Sequence, residues 1–260
     1  MDCGPNKFYH KHAFNSRAYI ETFFSDKPDM VFAEDSLKFP MMNFQYMFSS
    51  GFVKGNILID LSIASIIHHL YSVCDIYKDI IILKLTENCN METSRWKDSR
   101  TGAFRWTHAS AHVSLLDGQS AQIEDKDQQL KASISHVISC DFDNENITYP
   151  VVLPLADCIT TLGIIEAISE DEDDYMGNLE KISKLLKPGG HLMLIGLLNA
   201  SYYVIGGEKF HMFTCDESFV RNALCKLGFV IDYCAVKRRR NESTAIDYKA
   251  IMFLTACKTK

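Results

Sequence analysis

No stretch of the sequence approaches the ~18 uncharged apolar residues of a membrane span, and the start, "MDCGPNKFYHKHAF", lacks an apolar core of signal-peptide length. Basic charge is also short. Lys and Arg number 27 against 33 Asp and Glu, a formal net charge of −6, so a general nucleic-acid binder is excluded as the first expectation. No two of the nine cysteines stand in a CxxC pair, and their number is odd. The expectation is free, mostly buried thiols in a reducing, cytoplasmic setting with neither membrane nor nucleic acid as partner. No Gly-rich phosphate loop, Ser-His-Asp order or metal-ligand spacing is visible. His10 and His12 sit two apart without a matching Cys or carboxylate, and His68 and His69 are adjacent, so on a helix they point to different faces.

A more telling absence is local. "NILIDL" (56–61) is an apolar run closed by an acid, Asp60, and "SIASIIHHL" (62–70) then starts an amphipathic segment. That is how the first strand, loop and helix of a nucleotide-binding α/β domain read. Such a loop normally carries glycine, because the backbone must turn sharply and lie close to a cofactor. Here residues 61–65 read Leu-Ser-Ile-Ala-Ser.

What is present is an alternation of short apolar strands with helical patterns. After "NILIDL", strands are expected at "KDIIILKL" (78–85), "HVISCDF" (136–142), "LADCITTLG" (155–163) and "HLMLIGLL" (191–198). "YMGNLEKISKLLKPGG" (175–190) reads as an amphipathic helix closed by Pro188, Gly189 and Gly190. The acidic run from Glu170 to Asp174 should cap it, favoured by the helix dipole. A further helix, "ESFVRNALCKLG" (217–228), precedes strands "FVIDYCAV" (229–236) and "YKAIMFLTAC" (248–257). The basic run from Lys237 to Arg240 reads as a solvated turn between them. Phe14, Tyr19 and Phe23 mark an aromatic-rich helical segment within residues 1–55, and residues 99–135 form a polar insert, helical in its later part. The fold class is therefore α/β: a Rossmann-like, mostly parallel sheet with an antiparallel C-terminal hairpin, helices on both faces and a helical N-terminal lid, in one domain of 260 residues.

The order of elements resembles a class I S-adenosylmethionine-dependent methyltransferase. The stretches "FYHKHAFNSRAYIETFF", "GNILIDL", "SCDFDN", "LPLADCITTLGIIEA" and "LKPGGHLMLIGLLNASYYVIGGEKF" resemble the nicotinamide, phenylethanolamine and indolethylamine N-methyltransferase family over nearly the whole chain. The resemblance implies a monomeric cytoplasmic protein acting on a small amine or pyridine nitrogen. By family position it assigns Tyr19, Phe24, Ser62, Ile63, Ala64, Lys84, Asp141, Phe142 and Thr161 to the cofactor, and Gly196, Leu197, Tyr202 and Tyr203 to the substrate.

Four features at these positions depart from the family pattern. The Gly-Ser-Gly-type turn is Ser62-Ile63-Ala64, which adds volume where a ligand would pack. Lys84, donor-only, replaces the acid that accepts the ribose hydroxyls. Glu87, three residues on, is the candidate to replace it. Gly196 stands where the family has an acid beside the substrate nitrogen, and Phe24 where relatives have tyrosine. These changes lead to the expectation of impaired or lost methyl transfer, with the alternative of an active N-methyltransferase. S-adenosylmethionine is the expected cofactor if the chain is active, with no cofactor as the alternative. Loss of an acid and gain of Lys84 also lead to the expectation of a pocket that prefers neutral or anionic ligands.

Overall fold

The computed structural model describes residues 10–26, 34–118, 123–240 and 243–259. Seven strands form one sheet in the order β3-β2-β1-β4-β5-β9-β8: β1 Ile57–Ser62, β2 Asp79–Lys84, β3 Ile134–Ser139, β4 Ala156–Leu162, β5 Leu186–Leu198, β8 Phe229–Arg238 and β9 Ala250–Lys258. The first five run parallel to one another. β9 runs antiparallel to both β5 and β8, so β8 is the sheet edge and the last strand lies inside it. Apolar side chains alternate between the two faces, as period-2 strands require. Leu58, Met193, Ile195 and Phe253 join a core with Phe23, Phe44 and Val113 from the helices Ser16–Phe24, Phe39–Ser49 and Thr107–Leu116. Ile59, Leu61, Leu192 and Leu194 join a second core with Leu179 and Ile182 of helix Glu172–Ser183 and with Val220 and Leu224 of helix Glu217–Lys226. Among the described residues no helix is long and apolar enough to cross a membrane, and no cysteine is disulfide-bonded.

Local signals account for most boundaries. Asn15, Thr86, Asp171 and Asp216 each cap a following helix by accepting a backbone N–H. Glu172, Asp173 and Asp174 fill the first turn of their helix, as the acidic run leads one to expect. The insert carries two helices, Thr107–Leu116 and Ile123–Ser133.

The structure differs from the sequence reading at four places. Between β1 and β2 there is no α-helix, only a 3₁₀ turn over His68–Ser72. Ile66, Ile67, His68, His69, Leu70 and Tyr71 are all fully buried, so the segment has no polar face and packs as core. The helix expected to end at 187–190 stops at Ser183. Leu186 pairs with Ala156 and His191 with Cys158, so 187–190 bulge out of the start of β5. The basic run is not a free turn. Lys237 and Arg238 lie in β8, Lys237 pairs with Asp35 at 2.9 Å, and Arg239 donates to the Ile246 and Tyr248 carbonyls. A hairpin, β6 Tyr202–Ile205 and β7 Glu208–His211, stands outside the main sheet. Gly206 (φ 58°) and Gly207 (φ 87°) turn it, both in the left-handed region that a two-residue hairpin loop requires.

Candidate functional site

Strand order reverses between β1 and β4, and open α/β sheets bind ligands beyond the carboxyl ends of the strands at that point. Ser62 pairs with Leu162 there, and the Ile63 N–H donates to the Leu162 carbonyl at 3.0 Å. Ala64 holds φ 56°, the left-handed conformation for which such loops use glycine. The turn thus bends as a glycine turn would, with side chains attached. Ile63 is buried and aims across the cleft: a Cβ added to Gly163, just after β4, would lie 3.5 Å from the Ile63 Cγ2.

Among the described residues, two small cavities border Ile63. One, about 20 Å³, is lined by Tyr19, Phe24, Ile63, Leu197, Tyr203 and Met212 among others. The other, about 10 Å³, is lined by His10, Phe14, Ser62, Ile63, Ala64 and Cys89 among others. Each has room for about one water, whereas drug-sized ligands occupy pockets of roughly 300–1,000 Å³. A larger hollow of about 700 Å³ lies on the insert, around Trp96, Phe104, Trp106 and Lys131. It is an open surface groove that includes none of the residues assigned by resemblance.

Lys84 does not face the cleft. Its ammonium is fully buried beneath the turn, donating to the Ser62 carbonyl at 3.1 Å and the Ile66 carbonyl at 3.4 Å, and lies 3.8 Å from the Asp60 Oδ2. Burial lowers its pKa, and Asp60 only partly opposes this. Burial would raise the pKa of Asp60, but His69 at 2.7 Å, Lys84 and the Thr160 hydroxyl at 2.8 Å hold it below the ordinary carboxylate value. Ser62 donates to the same oxygen at 2.8 Å. The first-strand acid, the adjacent histidine and the lysine therefore form one internal charge cluster that braces the turn.

The acid missing at Gly196 has a neighbour in space. A Cβ on Gly196 would fall 2.4 Å from the Oε1 of Glu166, in the short helix Ile164–Ile168. That oxygen is buried with no hydrogen-bond partner among the described residues. Burial pushes the Glu166 carboxyl up to about 7, against the backbone N–H groups of Glu166 and Leu197 that favour its charged form. Its charge in turn helps burial raise the Tyr19 hydroxyl. The expectation of an added cation in the cleft is thus overturned, since Lys84 is withdrawn, and Glu166, though beside Gly196, lines neither cavity. Glu166 and Thr160 escaped the sequence reading, and His69 was read there only as one of an adjacent pair. The "IIEAI" stretch did carry a signal, one acid inside an apolar run.

The remaining assigned residues separate. Tyr19, Phe24, Leu197 and Tyr203 line one cavity, and the Tyr19 and Tyr203 rings meet edge-on at 5.4 Å. Phe24 packs on His68 at 5.0 Å, filling apolar space with no hydroxyl to satisfy. Asp141 receives the Lys11 ammonium at 2.5 Å and caps its own turn through the Asp143 N–H. Phe142 does not face the cleft. It is fully buried in the second core with Ile147 and Leu179, because the chain after β3 turns its ring under the sheet. The Thr161 hydroxyl is buried, with no hydrogen-bond partner among the described residues, and lines neither cavity. Tyr202 is half-buried, with Lys209 3.8 Å over its ring. Glu87 is exposed in the first turn of helix Glu87–Lys97 and lines neither cavity, so it does not stand in for the ribose acid.

S-adenosylmethionine does not fit these residues as they stand. Ile63 borders both small spaces, the position that the resemblance assigns to the ribose is an inward-turned ammonium, and the Asp141 carboxylate is engaged by Lys11.

Comparison with known proteins places the chain among methyltransferases. The family model described as NNMT/PNMT/TEMT matches residues 5–259. Indolethylamine N-methyltransferase of Oryctolagus cuniculus is 30% identical over 250 residues, covering 96% of this chain and 95% of the relative. Nicotinamide N-methyltransferase of Homo sapiens is 28% identical over 245 residues, covering 94% and 93%. Phenylethanolamine N-methyltransferase of Homo sapiens is 33% identical over 187 residues, covering 71% and 66%. Among solved structures, magnesium protoporphyrin IX methyltransferase from Synechocystis PCC 6803 with bound SAM superposes with a TM-score of 0.61 at 10% identity, covering 99% of each chain. That likeness is one of fold.

Proposed function

The chain belongs to the NNMT/PNMT/TEMT family of class I S-adenosylmethionine-dependent methyltransferases, and from that premise we propose that it is a small-molecule-binding member whose cofactor site is closed and whose methyl transfer is impaired or lost. The observation that carries this reading is Ile63. Its side chain stands between the turn and Gly163 and leaves two water-sized spaces where a cofactor needs a continuous cleft. Lys84 supports it. Turning the ammonium outward to meet a ribose would strip the Ser62 and Ile66 carbonyls and Asp60 of a buried partner. The ligand such a cleft suits is small and mostly apolar, because the spaces beside Ile63 are water-sized and walled largely by aromatic and aliphatic side chains. A single neutral molecule of that kind, and no macromolecule, is the proposed partner of a monomeric cytoplasmic protein.

A second reading, an active N-methyltransferase on a small amine or pyridine, has its own support. The relatives are named as such enzymes and match along 93–95% of their length at the top of the range, and Ala64 keeps the left-handed turn. The comparisons support this second reading more directly than the first, and the packing around Ile63 supports the first. An assay of methyl transfer from S-adenosylmethionine to indolethylamine, nicotinamide and phenylethanolamine separates them. The proposal expects no turnover above the rate without protein. Transfer to any of the three would overturn it in favour of the second reading.

A further inference from the structure

The N-terminal segment lies over the smaller cavity and is tied down at three points. His10 and Phe14 form part of the cavity wall opposite Ser62, Ala64 and Cys89. The His10 Nε2 lies 2.5 Å from the Tyr203 hydroxyl, and Phe14 packs edge-on against Phe210 at 5.8 Å. Ser16 donates its hydroxyl to Ser65 in the turn at 2.9 Å and its N–H to the Asn88 side chain at 3.0 Å. The third tie is ionic. The Lys11 ammonium bridges Asp141 at 2.5 Å and Asp143 at 2.7 Å, across 130 residues of sequence, from a side chain only 19% exposed.

The three ties differ in strength. The aromatic and hydroxyl contacts are buried and insensitive to ions. The pairs to Asp141 and Asp143 involve carboxylates 44% and 65% exposed, so they are screened by salt and individually weak. The ionic tie is therefore the one that a solution cation or a ligand can undo without unfolding the segment.

We propose that Lys11 is an autoinhibitory latch: by occupying Asp141 and Asp143 it holds the N-terminal segment across the cleft, and a cation or N–H donor delivered to these carboxylates releases it. The inference does not depend on whether methyl transfer survives, since it concerns access to the cleft and not what happens inside.

Cys89 supplies the readout. It lines the covered cavity, is 2% exposed, and carries a free thiol. Cys158, buried in β4, serves as the control for general unfolding. Alkylation of the folded chain by iodoacetamide is followed at both thiols by peptide mass spectrometry, at low salt and in about 0.5 M NaCl. For wild type, salt should speed Cys89 modification about two- to fivefold, the range expected for an exposed ion pair. Lys11→Gln should react at the faster rate at low salt and gain nothing from salt, with Cys158 unchanged throughout. Equal Cys89 rates in wild type and Lys11→Gln would overturn the proposal. So would a parallel rise at Cys158, which would mean the variant loosens the whole fold.

Discussion

Two buried ionisable residues stand next to the turn and the switch point, and both are read better in three dimensions than in sequence. Lys84 looks from its position like a charge facing a ligand. In the fold it is a strut, with Ser62, Ile66 and Asp60 as its partners. Lys84→Asp, the change that would restore the family acid, should therefore fail as a repair. It sets a second carboxylate against Asp60 and two carbonyls in a buried site, a loss of about 3–5 kcal/mol. Lys84→Met should cost less, because it removes the cation without adding a repulsive charge. Urea denaturation of both variants checks the order, and an equally stable Lys84→Asp would mean the ammonium is not the brace described.

Glu166 makes a pH-dependent prediction. Its carboxyl is raised from the ordinary 4.5 to about 7 by burial. Between those values the folded state holds a proton that the unfolded state has released, so this group's contribution to stability falls as pH rises through the window and levels off above it. Glu166→Gln removes that contribution. The variant should match wild type near pH 4.5 and exceed it by about 2–3 kcal/mol above pH 8. Tyr19, Tyr175 and Cys215, the titratable groups that feel the Glu166 charge, are themselves shifted upward and stay neutral across the window. Parallel melting-temperature curves for the two proteins between pH 4.5 and 8 would contradict the assignment.

At the scale of elements, the strands were legible because apolar runs of five to eight residues separated by helical patterns admit few other arrangements. Every parallel strand falls within a few residues of its expected place. The hairpin at 202–211 was equally legible in principle, since Gly206-Gly207 between "YYVI" and "EKFH" is a two-residue turn signal. The 3₁₀ turn at His68–Ser72 was not, because full burial of both histidines depends on Asp60 and Phe24, which are remote in sequence. The turn at 62–64 falls between these cases. Its missing glycines were plain, but not that Ala64 would still adopt φ 56°, in a turn whose Ser62 and Ile66 carbonyls accept from Lys84. An L-residue pays about 1–2 kcal/mol in that conformation, offset by the greater freedom glycine has when unfolded. Ala64→Gly should accordingly be neutral or stabilising by up to about 1 kcal/mol. A loss in the urea midpoint would show that Ala64 makes packing contacts that outweigh its strain.

For the molecule as a whole, fold and family agree, and the proposal of impaired methyl transfer rests on the cleft alone. Both faces of the sheet are packed, the strand order places a switch point between β1 and β4, and the chain aligns with its relatives almost end to end. What fills the switch point is the protein itself: Ile63 in the centre, Lys84 beneath, Lys11 at the rim. The residues that fill it could be named from the sequence, but not the directions in which they point. Phe142 and Lys84 point inward, and the Glu166 carboxyl lies beside Gly196 from the short helix Ile164–Ile168. Isothermal titration calorimetry with S-adenosylmethionine on wild type and Ile63→Ala tests the central claim most directly. The account predicts no binding tighter than about 1 mM for wild type and a gain of tenfold or more when Ile63 is truncated. Micromolar binding to the wild-type chain would contradict it.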